Sequence, residues 1–97
     1  MRIIAKRTLK EFWGKHPDSE EPLKAWYDEA LKADWKSFND IKAEFGSASI
    51  LGNDRIVFNI KGNHYRLIVM ILFAKGKIFI RFVGTHKEYD KIDSINI

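Results

Sequence analysis

Six consecutive residues near the end of the chain, Thr85-His86-Lys87-Glu88-Tyr89-Asp90, put an imidazole and a phenol three positions apart. On a helix that spacing sets both side chains on one face. Two arginines, Arg66 and Arg81, stand upstream in otherwise apolar stretches. An arginine inside a strand is costly unless it is paired or faces a wet cleft. Cleavage of an RNA phosphodiester needs a base for the 2′-hydroxyl, an acid for the departing 5′-oxygen and cations for the charge that develops on the phosphate. Imidazole, phenol and guanidinium supply those parts without a metal. Taken singly, His86 reads as an ordinary surface or capping histidine and Tyr89 as a packed helix residue. Each arginine, likewise, reads as a strand-end cation, either exposed or bridged to Asp or Glu.

Other chemistries find less support. His16, His64, His86 and Asp90 have no metal-ligand spacing, and the absence of cysteine removes thiolate sites and disulfides. No glycine-rich phosphate loop, nucleophile elbow or HExxH helix is present. The expectation is therefore no metal and no cofactor.

The charge distribution points the same way as the arginines. The chain carries 17 Lys and Arg against 13 Asp and Glu, for a net +4. Residues 1–48 hold nine of each sign, so the whole surplus falls in residues 49–97, with eight basic against four acidic. Phosphate is the usual partner of such a surplus, because each neutralised phosphate releases condensed counterions. Ordinary solubility charge is the competing explanation.

The elements that must position these groups follow from periodicity. Leu9, Phe12 and Trp13 lie at i, i+3 and i+4, the stripe of a short helix ending between Gly14 and Pro17. Asp18 reads as an N-cap, with Glu20 and Glu21 in the first turn and Leu23, Trp26, Tyr27, Ala30 and Leu31 as the buried stripe. Ser37 with Asp40 opens a third helix carrying Phe38, Ile41 and Phe45, and Gly46 stops it. The aromatics are core.

From there the period changes to two. Ile56, Phe58 and Ile60 alternate up to a Lys61-Gly62-Asn63 turn; His64 to Phe73 is a long strand apolar on both faces in its middle, as at a sheet centre; Lys75-Gly76 signals a tight hairpin into Lys77 to Val83. Residues near Ser49–Leu51 or Arg2–Ile4 are available as an edge. On alternation alone Arg66, Ile68 and Met70 share one face, as do Phe79, Arg81 and Val83; the turn register that decides whether the two arginines meet is not legible. Thr85 and Glu88 form a T-x-x-E capping box for a short last helix.

The expected fold is thus α+β: N-terminal helices packed on a small antiparallel sheet, with a short C-terminal helix, in one domain over residues 1–97. No apolar run reaches the roughly 20 residues of a membrane span. Lys6, Arg7 and Lys10 break any signal-peptide plan, so the chain is expected to stay in the cytoplasm.

Two stretches, VFNIKGNHYRLIVMI (57–71) and IRFVGTHKEYDKID (80–93), strongly resemble the HigB family of toxins from bacterial type II toxin–antitoxin pairs. KRTLKEFW (6–13), HPDSEEPLKAWY (16–27) and WKSFNDIKAEF (35–45) extend the resemblance over nearly the whole chain. It implies a RelE/ParE-like fold and a ribosome-dependent, metal-independent endoribonuclease that enters the ribosomal A site and cuts translated mRNA. It also implies a cognate HigA-type antitoxin carrying a helix-turn-helix domain. Carried over by position, Arg66 and Arg81 would hold the scissile phosphate, His86 would exchange protons, and Tyr89 would stack on a base or assist proton transfer. Lys61, His64, Lys77 and Lys87 would line the RNA path. Two other readings are a non-nuclease inhibitor, as in the ParE branch, and a plain RNA- or ribosome-binding module. The sheet lacks the exposed aromatic pairs typical of RRM-like binders.

Overall fold

The computed structural model describes residues 1–97. A three-residue strand, β1 (Arg2–Ile4), turns through Ala5, at φ 79°, into α1 (Lys6–Lys15), and α2 (Glu20–Lys32) and α3 (Phe38–Glu44) follow. The chain then runs through β2 (Ser49–Gly52), β3 (Arg55–Ile60), β4 (Tyr65–Leu72) and β5 (Lys77–Thr85) into α4 (His86–Tyr89). The five strands form one sheet in the order β1-β5-β4-β3-β2. Strands β2 to β5 are antiparallel as the period-two segments foretell, and both proposed edge segments join them. The addition is that β1 pairs with β5 in parallel.

One sheet face lies under the helices. Ile56, Phe58, Ile60, Leu67, Val69, Ile71, Ile78 and Ile80 meet Leu9, Leu23, Trp26, Ala30 and Ile41 in a single cluster. Edge-to-face aromatics lock it: Trp26 and Phe45 approach Phe58 at centroid distances of 5.4 and 5.1 Å. No helix is long and apolar enough to cross a membrane. Burying one such aliphatic side chain stabilises by about 1.5–3 kcal/mol.

Alternate residues face the other way. Reading across the register, Asn59, Arg66 and Gly84 form one rung of this second face and Val57, Ile68 and Phe82 the next. Between Ile68 and Val69 the β5 partner jumps from Phe82 to Ile80, leaving Arg81 as the extra residue of a β-bulge. The bulge corrects the simple alternation. Val83 packs on the helix-side cluster with Ile80, so it does not share a face with Phe79 and Arg81.

The α1–α2 junction departs from expectation as well. Asp18 does not cap α2. Pro17–Ser19 form a 3-10 turn, and Ser19 occupies the cap position without a side-chain cap bond. The Ser19 hydroxyl instead donates to the His16 carbonyl at 2.7 Å. The Asp18 carboxylate is taken by the sheet, accepting from the Tyr65 hydroxyl at 2.5 Å and from Lys61 Nζ at 2.7 Å. These charge-assisted bonds tie the helical layer to the β3–β4 turn and outcompete a local cap.

The Lys61 hydrogen bond, then that of Tyr65, holds the Asp18 carboxyl below its ordinary 3.8. Asp18 in turn pushes the Tyr65 phenol above its ordinary 10.0. The stabilisation is therefore complete between those two ordinary values. It fades as pH falls through the lowered Asp18 value and as pH rises through the raised Tyr65 value. Asp18→Ala is expected to lower the melting temperature by a few degrees at pH 7. Thermal scans from pH 7 down to pH 2 should show the gap to the wild type closing in acid; a gap that stays constant would contradict the clamp.

Candidate functional site

Arg66 reaches the second face because β4 alternates and the opposite face is filled by Tyr65, Leu67 and Val69. Its ladder neighbours are Asn59 on β3 and Gly84 on β5. Its guanidinium carbon stands 4.5 Å from the centroid of the Tyr89 ring, a cation–π contact at a half-buried site. Phe82 flanks the same ring at 6.3 Å. Arg66 Nε is buried and meets no acceptor within the chain, and neither does His86 Nε2. Buried polar nitrogens are nearly always hydrogen-bonded, so an unpaired guanidinium nitrogen on β4 and an unpaired imidazole nitrogen on α4 mark this end of the sheet as a candidate anion site.

Four residues cannot hold a helix by propensity, and α4 is fixed by its start. Glu88 N donates to Thr85 Oγ1 at 3.2 Å, and Thr85 N donates to Glu88 Oε1 at 2.8 Å, which completes the expected capping box. The Thr85 backbone N–H holds the Glu88 carboxyl below its usual value. Gly84 sets the approach. A Cβ there would stand 2.6 Å from Phe82 Cζ and 3.2 Å from Glu88 Cβ, so only glycine lets α4 settle over β5.

The expected site residues divide into groups. Arg66 and Tyr89 are in contact, and His86 sits on the same short helix. Arg81, exposed in the bulge, lies beyond the Ile68–Phe82 rung that follows Arg66, with its Nε donating to the Ile97 main-chain oxygen at 3.1 Å. Lys61 and His64 are exposed in the β3–β4 turn at the α4 end of the sheet, where Lys61 is engaged by Asp18. Lys87 is exposed on α4. Lys77 lies apart: it starts β5 beside Arg2, about 26 Å along the strand from Thr85.

Sequence reasoning gave Asn59 and Gly84 no part in the site and weighed His16 only as a metal ligand. Asn59 shares the Arg66 rung, and its amide donates to the Ser47 carbonyl at 3.2 Å; a polar residue inside Ile56–Ile60 was the available signal. His16 stacks on Phe12 at 4.4 Å and borders an open pocket of ≈ 210 Å³ between α1 and Glu88. No group of three metal-ligating side chains converges anywhere.

Comparison with known proteins gives a consistent picture. A family model described as HigB_toxin, a RelE-like toxic component of a toxin–antitoxin system, matches residues 19–92. The chain is 33% identical to the mRNA interferase toxin HigB of Escherichia coli strain K12, over 99% of this chain and 94% of that protein. The mRNA interferase HigB of Shigella flexneri matches to the same extent. The mRNA interferase HigB of Escherichia coli O6:H1 is 27% identical over 95% of this chain and 91% of its own length.

Gly84→Ala is expected to cost about 1–3 kcal/mol of stability through the overpacked Phe82 contact. Denaturant unfolding checks the loss. Trimming the ring with Phe82→Leu in the same chain should recover at least half of it. No recovery would place the glycine requirement elsewhere.

Proposed function

This chain belongs to the HigB family of RelE-like toxins, and from that premise we propose that it is an mRNA interferase acting on translated mRNA in the ribosomal A site. The observation that carries the reading is the Arg66 guanidinium held over the Tyr89 ring with its buried Nε unpaired. A phosphate oxygen accepts from such a group without an internal bond having to break first. With the phosphate on Arg66, the 2′-oxygen attacks phosphorus, the P–O5′ bond breaks, and a 2′,3′-cyclic phosphate and a 5′-hydroxyl result. His86 carries one of the two proton transfers, from the 2′-hydroxyl or to the 5′-oxygen, and the Tyr89 hydroxyl or a water carries the other. The Tyr89 ring holds the guanidinium plane and offers its edge and hydroxyl to the neighbouring nucleotide.

Arg81 extends the cationic row along the same face and meets the developing charge or the next phosphate. His64, Lys61 and Lys87 border the α4 end and are suited to guiding the strand in, whereas Lys77 serves a more distant stretch of RNA. The reaction as drawn uses only side chains. A HigA-type helix-turn-helix antitoxin neutralises the protein in the cytoplasm, and an acidic antitoxin segment is the natural complement of the Lys/Arg surface.

Primer extension on mRNA from cells after brief induction tests this, run beside an Arg66→Ala/His86→Ala double variant. New in-frame 5′ ends with the wild type alone are expected, together with relief of growth arrest in the double variant. Growth arrest without new ends would overturn the nuclease reading in favour of a target other than mRNA.

A further inference from the structure

Arg55 is a buried charged side chain, 7% exposed, and no Asp or Glu side chain pairs with it. Its donors go to main-chain oxygens. Nη1 binds the Asn53 carbonyl at 2.7 Å, while Nε and Nη2 both reach the Ile97 oxygen, at 3.0 and 2.6 Å. The β2–β3 turn makes this possible. Asn53 and Asp54 both take the left-handed conformation, at φ 52° and 63°, as a two-residue primed hairpin turn requires. Asn53 thereby points its carbonyl at Arg55 and its amide at the Ile95 carbonyl, at 3.0 Å.

The Ile97 oxygen has a third donor. Arg81 Nε meets it at 3.1 Å, so two guanidinium groups from strands β3 and β5 share one acceptor. A buried arginine that merely closed a hairpin would be replaceable by an apolar side chain of similar size, often with gain. Here the buried cation fixes the oxygen that fixes Arg81. Bulges re-aim a side chain, and this one turns Arg81 onto the second face, where the long side chain is exposed and has no other partner. With Nε held, the remaining amino groups of the planar fork have a set direction.

We propose that Arg55 is a positioning residue for RNA cleavage: through the Ile97 oxygen it orients Arg81 toward the phosphate backbone. This rests on the second face being the RNA-cleaving face. It predicts an effect on the chemical step that passes through Arg81 and vanishes when Arg81 is gone.

Single-turnover cleavage of a short mRNA on programmed ribosomes tests it, using the full chain as wild type, Arg55→Lys, Arg81→Ala and the double variant. Arg55→Lys should lower the maximal rate about tenfold, with the half-saturating protein concentration unchanged. In the Arg81→Ala background the same change should cost less than about twofold. Equal losses in both backgrounds would make Arg55 a structural residue only and overturn the proposal. A faster Arg55→Lys would overturn it too, since the tail would then be restraining Arg81. If circular dichroism shows Arg55→Lys unfolded, a chain ending at Asn96 removes the shared acceptor, and the same two-background comparison decides. A wild type that cuts nothing overturns the functional reading, and the role of Arg55 with it; wild-type cleavage with background-independent losses overturns the role of Arg55 alone.

Discussion

Strand β4 has to bury both of its faces, and helices cover only one of them. Tyr65, Leu67, Val69 and Ile71 go under α1 to α3, while Ile68, on the opposite face, is equally inaccessible. The second face is covered by what is left of the chain, a four-residue helix and the tail that follows it. That partial cover leaves the Arg66 end of β4 half-open to solvent. A cation can be kept there because the site is only half-buried and the guanidinium lies over the Tyr89 ring, although its Nε is buried and unpaired.

Placement of so short a cover depends on a few local decisions. The Thr85–Glu88 box starts the helix, Gly84 removes the one Cβ that would lift it, and the bulge at Arg81 shifts β5 so that Val83 returns to the core. Each acts at the junction between the last strand and the last helix. At the far end of the same face, Arg55 and Arg81 hold the tail through the Ile97 oxygen. At the helical side, the Asp18–Tyr65 bond fixes the β3–β4 turn from which Arg66 is presented. The fold spends its least regular features, the capping box, the bulge and the buried guanidinium, around one sheet face.

Much of this is legible in the chain itself. Period two gave β3 to β5 and period 3.6 the three helices, because those patterns are dictated by which side of each element is buried. T-x-x-E gave α4 because a capping box is a local device. Non-local choices were not legible. Asp18 has every local reason to cap α2, and its engagement by Tyr65, 47 residues away, depends on packing that no window contains. The bulge is equally silent, since Lys77 to Thr85 alternates acceptably in either register. A basic N-terminal segment is hidden within the neutral first half. Residues 1–15 carry Arg2, Lys6, Arg7, Lys10 and Lys15 against Glu11 alone, offset by an acidic excess in residues 16–48. The Arg66–Tyr89 pairing needed the β4–β5 register, which no residue in the intervening turn announces.

The central claim is that RNA binds the sheet face opposite the helices, with Arg66 at its centre. Amide and side-chain NMR of the protein titrated with a short 2′-O-methyl RNA, which cannot be cleaved, tests it most directly. The account predicts the largest shifts at Asn59, Gly84, the Arg66 Nε–H and the Tyr89 ring. Shifts confined to the exposed faces of α1 and α2, with the Arg66 and Tyr89 signals unmoved, would contradict it.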